Sequence, residues 1–181
     1  MLRIAINGYG RIGRSVLRAL YERGALETIK IVAINEPADI KTIAHLTRYD
    51  STHGRFPGTV TASNGMLVVN EDRISVSHQD DLTTLSWGKL DIDVVLECSG
   101  TFTSREIAEQ HLSSGAKRVL FSQPAEANVD ATIVYGVNHT CLNGKERVIS
   151  AASCSTNCVI PVIDVLNKHF DVDGGVITTI H

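Results

Sequence analysis

The stretch Leu2-Arg3-Ile4-Ala5-Ile6-Asn7-Gly8-Tyr9-Gly10-Arg11-Ile12-Gly13 decides the fold of this chain. It is a short apolar strand that runs into G-x-G-x-x-G, and an amphipathic segment with Val16, Leu17 and Leu20 follows as far as Gly24. In this setting the first glycine makes a tight turn, the second lets backbone approach a pyrophosphate, and the third lets the helix pack on the strand. Phosphate charge is favoured at the helix N-terminus. The pattern predicts dinucleotide binding; a purely structural glycine turn is the alternative.

An acidic residue follows the next predicted strand, Ile29 to Ile34, at the dipeptide Asn35-Glu36. Its spacing from the glycines is close to that of a carboxylate that binds the ribose hydroxyls. A carboxylate there accepts hydrogen bonds from both hydroxyls and repels a 2′-phosphate, so Glu36 favours NAD over NADP. The alternative is that Glu36 only caps a loop before Pro37. Arg11 is also open to two interpretations, because either its side chain lies over the cofactor or only its backbone N–H binds.

The rest of the chain continues as strands that alternate with helices, which predicts a parallel sheet. Asp93 to Glu97 is an apolar strand that ends at the turn Cys98-Ser99-Gly100, and Thr103 with Glu106 predicts a capping box for the following helix. Arg118 to Ser122 is the next strand. Between residues 59 and 77 we expect three short antiparallel strands around two turns. The predicted class is α/β, a Rossmann-type doubly wound, mostly parallel sheet.

A second motif, Ser150 to Cys158, places the thiol of Cys154 where an extended segment turns into a helix. The N–H groups and dipole of a helix N-terminus stabilise negative charge on sulfur, which favours the nucleophilic thiolate. Residues 175–181 are predicted as a β-branched strand that delivers the imidazole of His181, a suitable base for a thiol reaction. Pro161 lies inside the predicted helix, where we expect a local bend.

Composition excludes several classes of function. The 181 residues carry a net charge of −3 with ordinary apolar and charged fractions, which argues against a nucleic-acid or membrane surface. We see neither an apolar run of membrane-spanning length nor a signal peptide. The four cysteines fit neither a zinc site nor a disulfide scaffold. We therefore predict no metal, and we predict a reducing, cytoplasmic compartment. A thiol redox module built on Cys154 and Cys158 is a weaker alternative.

The chain resembles the phosphorylating glyceraldehyde-3-phosphate dehydrogenase superfamily. The segments that carry the resemblance are residues 6–14, 48–56, 135–138 and 153–158. Within the superfamily it is most similar to the subgroup that oxidises erythrose 4-phosphate. That narrower resemblance rests on Ala33-Ile34-Asn35-Glu36, where glycolytic members usually carry Asp, and on Leu120-Phe121-Ser122-Gln123-Pro124.

The resemblance implies a set of roles for the site residues. Cys154 would be the nucleophile and His181 the base, while Ser153 and Ser155 would line the substrate-anion region. The cofactor-binding residues would be Asn7, Gly8, Gly10, Arg11, Ile12, Gly13, Glu36, Ser99, Gly100 and Ser122. Ordinary turn residues are the alternative interpretation of Ser99 and Ser122.

It also implies a division of the chain and a reaction. Residues 1–152 would form the NAD-binding domain, and residues 153–181 only the start of a catalytic domain, with the nucleophile helix and the base strand. The complete enzyme, a homotetramer in this family, would oxidise erythrose 4-phosphate through a cysteine thioester. The alternatives are the glycolytic phosphorylating enzyme and an NAD-binding module without turnover.

Overall fold

The computed structural model describes residues 1–180, which form eleven strands and four α-helices around one main sheet. The helices are α1 (Arg11–Glu22), α2 (Ile40–Arg48), α3 (Arg105–Ser113) and α4 (Cys154–Phe170). The strands are β1 (Leu2–Asn7), β2 (Ile29–Asn35), β3 (Tyr49–Asp50), β4 (Gly54–Arg55), β5 (Val60–Ser63), β6 (Met66–Val69), β7 (Asp72–Ser77), β8 (Val94–Glu97), β9 (Arg118–Phe121), β10 (Ala131–Thr132) and β11 (Val148–Ser150).

The main sheet has nine strands in the order β10-β11-β9-β8-β1-β2-β7-β6-β5. All pairs from β10 to β7 are parallel, and only the β7-β6-β5 end is antiparallel. The strand order reverses at β1, which lies between β2 and β8. The predicted doubly wound α/β class is confirmed, as are the three short strands expected between residues 59 and 77.

Side chains that alternate along the strands build a core on each face of the sheet. Ala5 belongs to one apolar cluster, which contains Trp87 and Leu112 and is covered by α3. The next residue, Ile6, belongs to the other, which contains Leu17 from α1 and Ile43 from α2. Helices therefore cover both faces, and the carboxyl ends of the parallel strands form an edge that is open to ligands.

The start of α3 differs from the prediction by one residue. Ser104, not Thr103, is the N-cap, with extended backbone (φ −87°, ψ 154°), and α3 begins at Arg105. Glu106 is therefore the second helical residue, whereas a capping box requires the acidic side chain at the third. The expected box is wrong, although an acidic residue in the first turn still complements the helix dipole.

The strand predicted in residues 175–181 does not form in the described part of the chain. Residues 171–180 have no regular secondary structure and every one of them is exposed. A strand is stabilised by its hydrogen-bonded neighbour, so β-branched composition alone does not produce one. Pro161 lies inside α4, and the local bend expected there stays a prediction. None of the described helices combines the length and the apolar character needed to cross a bilayer.

Candidate functional site

Four polar turns lie side by side at the carboxyl edge of the sheet. Gly8 follows β1, Ser99 follows β8, Ser122 follows β9 and Ala151 follows β11. These strands are consecutive neighbours in the order β1-β8-β9-β11. Three strand spacings separate the first turn from the last, roughly 14 Å. The edge therefore suits an elongated ligand that starts at the glycine loop and ends near α4.

The glycine loop, residues 8–13, meets the requirement for close packing at its first and third glycines. Gly8 has φ +83°, a conformation that glycine adopts without strain, and a Cβ there would overlap the backbone of Ser99. A Cβ at Gly13 would overlap the carbonyl oxygen of Gly8, so α1 packs tightly against the loop. At Gly10, the N-cap of α1, an added Cβ meets nothing within 4 Å. The second glycine thus leaves space on the open side of the loop.

The first turn of α1 is basic, which is unusual for a helix N-terminus. Arg11, 61% exposed, lies at the first helical position with Nη1 4.0 Å from the Asp50 carboxylate, and Arg14 donates a hydrogen bond to the Tyr9 carbonyl oxygen. The first turn contains no acidic side chain. The helix dipole and the arginines both attract an anion, and the N–H groups of the first turn have no acceptor within the helix. This end of α1 can hold a pyrophosphate.

Glu36 is held at the end of β2 beside the glycine loop. Its Oε2 accepts a hydrogen bond from the Tyr9 backbone N–H at 2.7 Å, and its Oε1 accepts one from the Ala38 N–H at 3.3 Å. A carboxylate has about four acceptor sites, so two bonds orient Glu36 and leave capacity for two hydroxyl groups. The carboxylate therefore orients the loop and could accept hydrogen bonds from the hydroxyl groups of a ligand as well.

A cleft of about 230 Å³ lies along the same edge of the sheet. Its lining combines the strand-end residues Asn7, Gly8 and Ser99 with the apolar side chains of Pro37 and Phe102. Gly100, in the turn beside it, has φ +74°. Apolar surfaces that flank a few polar groups are typical of cofactor clefts. The cleft thus brings together three of the ten residues expected to bind cofactor.

Cys154 is the first residue of α4 and is exposed. Ser153 is the N-cap, and its Oγ accepts the Thr156 backbone N–H at 2.9 Å. Ala152, directly before the cap, has φ +60°, an unfavourable conformation for alanine. Strained backbone of this kind concentrates at functional sites, where the surrounding structure maintains it. The thiol therefore stands at a capped, constrained helix start, as the sequence predicts.

The serines beside the thiol have partners within the turn. Ser153 Oγ lies 3.0 Å from Ser155 Oγ, and Asn157 donates from Nδ2 to the carbonyl oxygens of Ala151 and Ser153. Ser122, one strand away, donates to Gln123 Oε1 at 2.8 Å. The contacts of Ser153 and Asn157 tie the turn before α4 to the first turn of the helix.

His181 lies outside the described residues, so its separation from Cys154 stays a prediction. The other thiols differ from Cys154 in setting: Cys98 is buried, which raises its pKa to about 11, while Cys141 and Cys158 are exposed away from a helix start. No group of His, Cys, Asp and Glu side chains within residues 1–180 is arranged to hold a metal ion.

Sequence reasoning missed Glu97, which is fully buried under the cleft and hydrogen bonded to Asn7 and Ser99. Its neighbour His111 is also fully buried, with Nε2 3.0 Å from a Glu97 oxygen. The sequence does contain a signal for the burial of Glu97. Glu97 lies two residues after Val95 at the end of an apolar strand, and the strand period of two places both side chains on the same face.

Comparison with known families gives two matches. The model described as glyceraldehyde 3-phosphate dehydrogenase, NAD binding domain, matches residues 2–105. The model described as glyceraldehyde 3-phosphate dehydrogenase, C-terminal domain, matches residues 153–181. The first match contains the glycine loop, Glu36 and Ser99, and the second begins one residue before Cys154.

Proposed function

Because this chain belongs to the glyceraldehyde 3-phosphate dehydrogenase family and uses NAD as its cofactor, we propose that it oxidises the aldehyde of erythrose 4-phosphate to 4-phosphoerythronate. The observation that carries the proposal is the common sheet edge. It bears the glycine loop after β1 and, three strands away, the capped thiol of Cys154 after β11. A cofactor at one end of this edge and a thiol at the other are the two components that oxidation through a thioester needs.

In the first step, the Cys154 thiolate attacks the aldehyde carbon and forms a hemithioacetal. The N–H groups at the start of α4 are aimed at negative charge near the sulfur and stabilise the developing oxyanion. Residues 8–13 and Glu36 would hold NAD, which when bound would supply the hydride acceptor. His181 takes the hydroxyl proton as the carbonyl of the thioester forms, and such general-base help contributes on the order of 10²–10⁴ in rate.

In the second step, water attacks the thioester, the acid is released and the Cys154 thiolate returns. The hydroxyls of Ser153 and Ser155 lie at the N-terminus of α4. We assign them to the region that receives the anionic group. The remaining cofactor-binding assignments are the strand-end residues Ser99, Gly100 and Ser122 on the nicotinamide side, and Asn7 with residues 8–13 at the pyrophosphate.

The choice of erythrose 4-phosphate rests on the subgroup resemblance of Glu36 and of residues 120–124. The rival is the glycolytic reaction, in which inorganic phosphate attacks the thioester of glyceraldehyde 3-phosphate. Both reactions need the same thiol, base and cofactor. They differ in sugar length and in the nucleophile that releases the product.

Kinetics on protein that includes a complete C-terminal domain separates the two reactions. We expect a higher kcat/KM for erythrose 4-phosphate than for glyceraldehyde 3-phosphate, because that ratio measures specificity. We also expect steady NADH formation from erythrose 4-phosphate without inorganic phosphate, since water is the nucleophile. If turnover stops after one equivalent until phosphate is added, and glyceraldehyde 3-phosphate is the better substrate, the chain is a phosphorylating enzyme instead.

Cofactor choice provides a test on the 181-residue chain itself. With Glu36 in place, we expect calorimetry to show at least about tenfold tighter binding of NAD than of NADP, because the carboxylate repels a 2′-phosphate across a short distance. The Glu36→Gln variant removes the charge and should reduce this preference by about tenfold.

Asp39→Asn is the matched control for Glu36→Gln. Asp39 lies three residues away and caps α2 by accepting the Lys41 and Thr42 N–H groups, a role that asparagine also fills. It changes the net charge equally and should leave the NAD preference as it is. Equal changes in the two variants would show that general charge, and not Glu36, sets cofactor choice.

We extend the proposal to the setting of the enzyme. The family resemblance supports a homotetramer. The free cysteines Cys98, Cys141, Cys154 and Cys158 are consistent with a reducing compartment, for which we propose the cytoplasm.

A further inference from the structure

A buried acidic residue lies directly beneath the cofactor cleft. Glu97, the last residue of β8, is 0% exposed, and its two oxygens accept three N–H groups. Oε2 lies 2.7 Å from Asn7 Nδ2 and 3.0 Å from His111 Nε2, and Oε1 lies 2.8 Å from the Ser99 backbone N. Within residues 1–180, its one basic neighbour at ion-pair distance is His111.

The protonation of His111 follows from its partner on the other side. The Trp87 indole N–H, which can only donate, lies 3.0 Å from His111 Nδ1. Nδ1 must therefore be the acceptor, and the neutral ring carries its proton on Nε2 and donates it to Glu97. In a doubly protonated ring, the N–H group at His111 Nδ1 would face the indole N–H of Trp87, and both residues are buried.

The direction of the hydrogen bonds from Asn35 to Asn7 and from Asn7 to Glu97 is also fixed by a group that can only donate. The Gln79 backbone N–H donates to Asn35 Oδ1 at 2.9 Å, so Asn35 Nδ2 is the donor to Asn7 Oδ1 at 2.8 Å. Asn7 Nδ2 is then left to donate to Glu97. The three groups that contact the Glu97 oxygens, from Asn7, Ser99 and His111, are all donors, so none of these contacts in residues 1–180 offers an acceptor for a proton on either oxygen. Glu97 is thus an ionised carboxylate held by N–H groups.

The position of this carboxylate is significant because it joins the two loops that line the cleft. One oxygen holds the Asn7 side chain, directly before Gly8, and the other holds the backbone of Ser99. These loops are in contact, since a Cβ on Gly8 would overlap the Ser99 backbone. Asn7, Asn35 and Glu97 lie in register on three adjacent strands.

A buried charge without a cationic partner is costly, and an apolar residue would serve stability alone at least as well. We propose that Glu97 is a positioning residue for cofactor binding: its carboxylate holds the glycine loop and the Ser99 turn at the separation that NAD requires. His111 and Trp87 orient the carboxylate from the α3 face of the sheet. The inference rests on NAD binding and is independent of the aldehyde substrate.

The test compares the NAD affinity of folded variants of the chain by calorimetry. In Glu97→Gln, an amide NH₂ replaces one of the two oxygens. It then faces either the Ser99 N–H or the N–H groups of Asn7 and His111. We therefore expect about 10- to 100-fold weaker NAD binding, as for other residues that orient a binding group. Glu97→Asp keeps the charge but withdraws the carboxylate by one methylene, and it should fold and bind less weakened than the Gln variant. If the Gln variant does not fold, Glu97→Asp alone decides: weaker NAD binding than the wild type supports the positioning role, and binding within about twofold of the wild type refutes it.

Tyr21→Phe is the control for lost stability. It removes a 2.9 Å hydrogen bond to Asp72 outside the cleft, and it should leave the NAD affinity unchanged. If folded Glu97→Gln and Glu97→Asp both bind NAD within about twofold of the wild type, the positioning role is refuted. If the wild-type chain itself fails to bind NAD, the fault lies with the cofactor site and not with Glu97.

A spectroscopic measurement on the wild type tests the direction of the network. Nitrogen NMR of His111 should show a proton on Nε2 and none on Nδ1. The indole N–H of Trp87, the single tryptophan of the chain, should be protected from exchange. A proton on Nδ1 would overturn the assignment of Glu97 as the acceptor of every neighbouring donor.

Discussion

Gly8→Ala is expected to abolish measurable NAD binding and to lower the free energy of unfolding by about 2–5 kcal/mol. The added Cβ destabilises the fold in two ways. The left-handed conformation at φ +83° costs about 1–2 kcal/mol, and the overlap with the Ser99 backbone costs about 1–3 kcal/mol. Relief of that overlap moves the glycine loop away from the Ser99 turn. Denaturant unfolding and calorimetry with NAD measure the two effects.

Gly65→Ala separates strain from displacement of the loop. Gly65 lies in the turn between β5 and β6 with φ +72°, and an added Cβ meets nothing within 4 Å. It should therefore cost only about 1 kcal/mol and leave NAD affinity unchanged. An NAD affinity for Gly8→Ala that matches that of Gly65→Ala would contradict the close approach of the two loops as the basis of the site.

Cys154→Ser is expected to reduce aldehyde oxidation by at least about 10³-fold in protein with a complete C-terminal domain. A serine hydroxyl stays protonated under conditions in which a thiol ionises. Its attack on the aldehyde is therefore much slower than the attack of the thiolate that forms the hemithioacetal. NAD affinity should be unchanged, because the thiol and the glycine loop lie three strands apart. Steady-state NADH formation and calorimetry with NAD give the two values.

Cys158→Ser is the matched control, one turn further along α4, where the thiol is exposed but is not at the helix start. Its activity should stay within about twofold of the wild type. On the 181-residue chain, iodoacetamide followed by peptide mapping should label Cys154 first and Cys98 last, because burial raises the pKa of Cys98 to about 11. Labelling of Cys158 at the rate of Cys154 would count against the nucleophile assignment.

Local patterns predicted most of the fold because they act over short distances. The glycine loop, the alternation of strands with helices and the capped thiol each show in residues that are close together in the sequence. The N-cap of α3 is Ser104 and not Thr103, because both residue types suit a cap and the backbone geometry decides between them. The strand expected after residue 174 failed because a strand needs a partner that composition does not reveal.

The Glu97 network was beyond local reasoning for a different reason. Asn7 and Glu97 are 90 residues apart, and Trp87 and His111 are 24 apart. Only the sheet register places such residues together, so an acidic residue at a strand end has no visible partner in the sequence. The role of such an acidic residue depends on which strands become neighbours in the sheet.

The same register determines the order in which the chain can fold as it is synthesised. β1 is made before its two neighbours in the sheet, β2 on one side and β8 on the other. Its first neighbour is complete at residue 35, whereas its second arrives only with residues 94–97. Until then, one edge of the glycine-loop strand stays open on the nascent chain, and such edges invite association with other chains. Ribosomes that translate this message in close succession thus expose several copies of the same unpaired strand, and a chaperone that shields β1 would act during that interval.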